Sequence, residues 1–97
     1  MKLNEEQHAA MVELDIPARM RGAIVRYYER GLPPGHFLTA VISNDLKEAV
    51  NRADNEDVAL LKNYVLWFYN YAPVGSWGSA ENMQTWLESF DTEEEVA

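Results

Sequence analysis

GLPPGHFLTAVISND, residues 31–45, places two chain reversals around one short apolar run. Gly31 can take the left-handed conformation that ends a helix, and Leu32 is held extended because the residue before a proline is biased out of the α region. Pro33 and Pro34 make a stiff corner, after which Pro34 or Gly35 begins a new helical turn. Phe37, Leu38, Ala40, Val41 and Ile42 leave almost no polar face, which predicts a short helix buried nearly all round. Ser43-Asn44-Asp45 then stops it, because these side chains compete for backbone hydrogen bonds and cap the helix that follows.

Upstream, Asn4 before Glu5 and Glu6 reads as an N-cap followed by acids that complement the helix dipole, predicting a first helix over residues 5–13. It carries Ala9, Ala10, Met11 and Val12, with Leu14 following. Asp15-Ile16-Pro17 reads as a second helix start running to Arg30, since proline is tolerated in a first turn. With 3.6 residues per turn, Met20, Ile24, Tyr27, Tyr28 and Gly31 share one broad arc with Pro17. Arg19, Arg26 and Arg30 align on another, facing away from the core.

Downstream, Leu46 to Ala53 forms a helix with Leu46, Ala49 and Val50 expected inward. Asp54-Asn55 caps the next, over residues 56–71, whose two apolar faces carry Val58, Leu61, Val65 and Phe68 on one side and Leu60, Tyr64, Trp67 and Tyr71 on the other. Both faces can be satisfied within one chain, or one can be shared in a homodimer. Pro73, Gly75 and Gly78 make a loop holding Trp77, and Ser79 caps a last helix with Met83, Trp86, Leu87 and Phe90 inward. No segment alternates as a strand does, and no internal repeat appears. The expected architecture is all-α: a compact single-domain bundle of five or six short helices over residues 1–90, followed by an acidic flexible tail, 91–97.

The 97 residues suffice for one core without staples. The absence of cysteine excludes disulfides, thiolate metal sites and cysteine nucleophiles. No apolar run nears the roughly 20 residues of a membrane span, and MKLNEEQHAA lacks a signal peptide's apolar centre, so a cytoplasmic location is expected. Net charge is −8 but unevenly spread: residues 19–30 sum to +3, whereas 1–18 sum to −3 and 81–97 to −6. A cationic helix thus sits in an anionic protein.

Enzyme chemistry finds little support in the chain. His8 and His36 are the only histidines and lack metal-ligand spacing; His36 reads as a residue that hydrogen-bonds within the Pro-Pro-Gly corner. Asp54/Asp57 and Asp45/Glu48 are explained by dipole complementation. Gly75-Ser-Trp-Gly-Ser79 lacks the lysine and the glycine spacing of a phosphate loop. No catalytic residue, metal or cofactor is expected.

Two features suggest binding. The arginine stripe pairs with the chain's own acids or with an acidic partner protein, or, with Tyr27 and Tyr28 nearby, contacts phosphates and bases. The aromatic residues exceed what such a core can fully bury, and exposed ones anchor interfaces. Trp77 reads equally as a lid over the core or as a contact residue.

Ile16-Pro17, Tyr28, Gly31, Gly35-His36-Phe37-Leu38, Ala40-Val41, Asn44-Asp45-Leu46, Ala53-Asp54, Pro73 and Trp77-Gly78-Ser79 before Trp86 follow one another in a pattern. It resembles that of a small uncharacterised family encoded widely in tailed phages and prophages. The resemblance spans residues 16–87 and carries over no catalytic residue. It implies a phage accessory protein working in the host cytoplasm. The expected function is therefore non-enzymatic binding of a host or phage protein, inhibiting or modulating it, with Arg19, Arg26, Arg30, Tyr27 and Trp77 as contacts. The alternatives are a nucleic-acid-associated protein using the same arginines, and an acidic phosphate-mimicking inhibitor of a nucleic-acid enzyme. No membrane partner is expected, and homo-oligomerisation stays open.

Overall fold

The computed structural model describes the backbone of residues 1–96 and the side chains of residues 1–91. The chain forms α1 (Glu5–Glu13), α2 (Ala18–Arg30), α3 (His36–Ile42), α4 (Leu46–Arg52), α5 (Asn55–Ala59), α6 (Leu61–Tyr71) and α7 (Ala80–Val96), with no strand among the described residues. They pack into a body of 42 × 29 × 21 Å.

The caps follow from the local sequence. Asn4 and Gln7 form a reciprocal capping box on α1. Asp45 accepts from the Glu48 amide, Asp54 from the Asp57 amide and Ser79 from the Asn82 amide. At the end of α3, Asn44 is left-handed at φ 61°, the Asp45 amide bonds Ala40 O at 2.8 Å and the Asn44 amide bonds Val41 O at 3.1 Å. That double closure satisfies two orphan carbonyls and aims the chain directly into α4. Asp15 at φ 60° closes α1 in the same way, with the Ile16 amide on Met11 O.

The expected single helix over 56–71 is two helices, which raises the count to seven. Leu60 closes α5 and opens α6. Its amide is shared between Glu56 O at 3.1 Å and Asp57 O at 3.2 Å, and the shorter-span bond tightens the chain at that point. No proline or glycine marks the break, so periodicity alone reads straight through it. The expected tail falls almost wholly outside the described side chains; the α7 backbone continues to Val96.

The core is aromatic and joined by polar hinges. Tyr27, Tyr28, Tyr64, Trp67 and Phe68 are fully buried. Tyr28 lies edge-on to Tyr27 at 4.9 Å and to Trp86 at 5.4 Å, and Trp67 meets Phe68 at 5.2 Å, geometries that suit ring quadrupoles. Trp67 Nε1 donates to Gln7 O, Gln7 Nε2 donates to Tyr71 O, and Asn63 Nδ2 donates to Leu14 O. These bonds fasten α1 along α6. Trp86 Nε1 donates to Tyr27 O, fastening α7 to α2.

The 72–79 loop is held by Ser76, which is fully buried. Its hydroxyl donates to Pro73 O at 2.6 Å and lies 2.9 Å from Tyr28 Oη, while Tyr27 Oη donates to Ser76 O at 2.9 Å. A serine hydroxyl has one proton, so Tyr28 is the donor in the hydroxyl pair. The Gly78 amide donates to Ile42 O at 2.7 Å, tying the loop to the end of α3. Ser76→Ala leaves the Tyr28 hydroxyl without its acceptor in a buried site and should cost about 2 kcal/mol. Denaturant unfolding would read this, and a loss below about 0.5 kcal/mol would mean that the node does not hold the loop.

Candidate functional site

The arginine stripe is not a uniform cationic surface. Arg19 faces the start of α5, where its Nη2 lies 3.3 Å from Asp54 Oδ2, 3.7 Å from Asp57 Oδ2 and 3.9 Å from Glu56 Oε1. Asp57 is buried and also accepts from Tyr64 Oη at 2.9 Å. Arg19 is therefore engaged in docking α5 against α2; its pairs with the exposed Asp54 and Glu56 contribute at most about 1 kcal/mol each. Arg26 and Arg30 are exposed and have no ion pair among the described residues. Arg21, off the stripe, donates to Ile16 O.

Tyr27 corrects the expectation of a surface contact. It is fully buried, with its hydroxyl on Ser76 O and its ring against Tyr28 and Trp86. The apolar arc of α2 outcompetes the arginine stripe for this ring because aromatic burial in so small a core is worth more than exposure. His36 also departs from its reading: its exposed ring makes no hydrogen bond among the described residues, and Thr39 Oγ1 to Pro34 O closes the corner instead. His36 lines a mixed cleft of about 380 Å³ with Arg19, Met20, Phe37, Arg52 and Asp54, and both arginines are already paired: Arg52 with Glu48 and Arg19 with the α5 acids.

Trp77 lies over the core and also lines a groove. Its ring stacks on Phe68 at 5.7 Å and 30°, and its outer side walls a groove of about 150 Å³. Ala40, Val41 and Ala49 also line this groove, together with Leu46 from α4 and Leu61 and Val65 from α6. Asp45 is the charged residue of the lining, and its Oδ1 is engaged in capping α4.

The apolar surface extends beyond the groove. Leu46 is 67% exposed and Val50 46%, although both were expected to point inward; Val65 is 40% exposed and Tyr69 76%. Leu46/Val50 and Val65/Tyr69 are i, i+4 pairs, so each makes a stripe along its helix. α4 has only seven residues, and α3 consumes its inner side through Ala49. Nothing remains in the described chain to cover the rest. Contiguous apolar area rimmed by polar groups marks an interaction surface. The sequence placed Leu46 and Val50 inward and left one apolar face of the 56–71 helix open to sharing in a homodimer; it could not say which faces lack a partner within the chain.

The flanks of this face are cationic. At about 100° per residue, Lys47 lies beyond Val50 on the solvent side of α4, and Lys62 lies beside Tyr69 on the solvent side of α6. Both are exposed, and neither has an ion pair among the described residues.

Among the described residues, no group of three His, Cys, Asp or Glu side chains is placed to hold a metal, and no helix is long and apolar enough to cross a membrane. Comparison with protein-family models, curated proteins and solved structures gives no match to this chain.

Proposed function

We propose that this chain is a non-enzymatic binding protein, a phage or prophage accessory factor that engages a host or phage protein and modulates it. The observation that carries the reading is the exposed apolar face of Leu46, Val50, Val65 and Tyr69 beside the Trp77 groove. The phage assignment is supported by the pattern over residues 16–87. The contact surface moves accordingly: Trp77 stays in it, Tyr27 leaves it, and Arg19 is committed to α5.

Affinity capture from host lysate, with and without nuclease, tests the reading. A partner should survive nuclease and be lost with Leu46→Asp or Val65→Asp, each costing about 2 kcal/mol or roughly thirtyfold in affinity. Charge reversal at Arg26 and Arg30 should leave capture unchanged, as should Val12→Asp on exposed α1. If nuclease abolishes capture, the arginine stripe is a nucleic-acid surface and this reading fails; if the arginine reversals abolish a nuclease-resistant capture, the partner protein meets the arginine stripe and the assignment to the apolar face fails.

A further inference from the structure

The α4/α6 groove has a shape and a charge sense, and both narrow what can occupy it. Its two walls are helices carrying i, i+4 apolar pairs, and its floor is made by the small residues Ala40 and Ala49 with Val41. A third helix presenting apolar side chains at i and i+3 or i+4 matches such a cleft, as in helix-in-groove recognition. Small floor residues leave room for a bulky anchor beside Trp77.

The charge sense comes from the lysines. The chain has three, and two of them, Lys47 and Lys62, border this face. Of the acids nearest in the chain, Glu48 is neutralised by Arg52 at 2.6 Å, whereas Asp45 caps α4 and keeps its charge at one end of the groove, leaving the two lysines in excess by one. Glu81, in the first turn of α7, falls on the opposite side of that helix from buried Met83. Exposed charges more than about 8 Å apart are largely screened at physiological ionic strength. At contact range the face therefore presents two lysines against the one carboxylate of Asp45.

We infer that the groove takes an amphipathic helix of a partner protein, with apolar anchors in the cleft and carboxylates on both flanks that meet Lys47 and Lys62. This rests on the protein-binding reading above and adds the chemistry of the partner. A second copy of this chain is disfavoured as the occupant, because a two-fold pairing would bring the same lysine-flanked face against itself.

Three labelled synthetic peptides test it by fluorescence anisotropy: a leucine helix with glutamate flanks, the same helix with lysine flanks, and a scrambled acidic peptide of the first composition. The acidic helix should bind about fivefold more tightly than the basic one at low salt, the order expected of two exposed ion pairs. That preference should invert with Lys47→Glu plus Lys62→Glu, and Val65→Asp should abolish binding of either helix. The scrambled peptide should not bind. Circular dichroism of each variant checks that it is folded. Equal or tighter binding of the basic helix overturns the charge assignment while leaving protein binding intact. Binding of neither helix, or equal binding of the scrambled peptide, overturns the helix-in-groove inference. Unchanged lysate capture by Leu46→Asp overturns the function reading itself. Light scattering that shows a dimer dissociated by Leu46→Asp makes the second copy the occupant and overturns the partner-helix proposal.

Discussion

Gly31→Ala is expected to destabilise the domain by about 3 kcal/mol, a large part of the 5–15 kcal/mol that holds a domain together. Two costs add. Gly31 sits at φ 65°, where an L side chain loses about 1 kcal/mol. A Cβ there would also overlap Phe90 Cγ and lie 2.6 Å from Cδ1 and 2.8 Å from Cβ. The contact with Phe90 Cβ means that swinging the ring away is not enough; α7 must move, at an overpacking cost of about 1–3 kcal/mol. Thermal unfolding should show a fall on the order of 15 °C. In a Phe90→Ala background the Gly31 substitution should cost about 1 kcal/mol less, because the ring contacts are gone and the Cβ contact remains. An identical cost in both backgrounds would mean that the ring contacts contribute nothing, leaving the effect to backbone conformation and the contact with Cβ of residue 90.

Alkaline pH should unfold the protein cooperatively. Burial pushes the hydroxyls of Tyr27 and Tyr28 far above the ordinary tyrosine value of 10.0; for Tyr28 the bond to Ser76 offsets part of this and Tyr27 adds to it. Burial likewise raises Tyr64, and the Asp57 carboxylate beside it adds to the shift while Arg19 opposes it. Below pH about 10 both the folded and unfolded chains keep these three protons, so they give stability no slope. Above it the unfolded chain releases them while the folded chain holds them, and stability falls with rising pH. Three protons bound in the folded state alone give a slope approaching 4 kcal/mol per pH unit. Tyrosinate absorbance and loss of helical circular dichroism should therefore rise together above pH 10. Ionisation of these three tyrosines with the helical signal intact would show that their sites open without global unfolding. Tyr28→Phe should reduce the slope by about one third.

Much of the fold was legible because its signals are local. Asn4, Asp45, Asp54 and Ser79 each place an oxygen on a nearby amide, and Gly31 and Asn44 each permit a left-handed backbone. Such effects act within a few residues and survive whatever packs around them. The apolar run from Phe37 to Ile42, broken by Thr39 alone, likewise announced a helix with almost no solvent face. The all-α class and most helix starts follow from these positions.

The site was legible only in part, because exposure depends on what lies opposite. Leu46 and Val50 have the pattern of a buried face, yet α3 covers only the Ala49 side of α4. Tyr27 has the same residue type as an interface anchor, yet the Ser76 loop, some fifty positions away, closes over its hydroxyl. Arg19 belongs to a cationic stripe by spacing, and the approach of α5 converts it into a structural pair. Leu60 shows no breaker, and its bend arises from a shared amide rather than from side-chain chemistry.

By itself the sequence determined an all-helical chain, its caps and corners, and more aromatic side chains than a core of this size can fully bury. Only the tertiary structure decided which surplus residues lie on the surface, and that Trp77 stacks inward on Phe68 while walling the groove outside. The physical reason is that capping and left-handed turns are one-segment energies, whereas burial is a property of two surfaces meeting. Periodicity reports the first surface and is silent about the second.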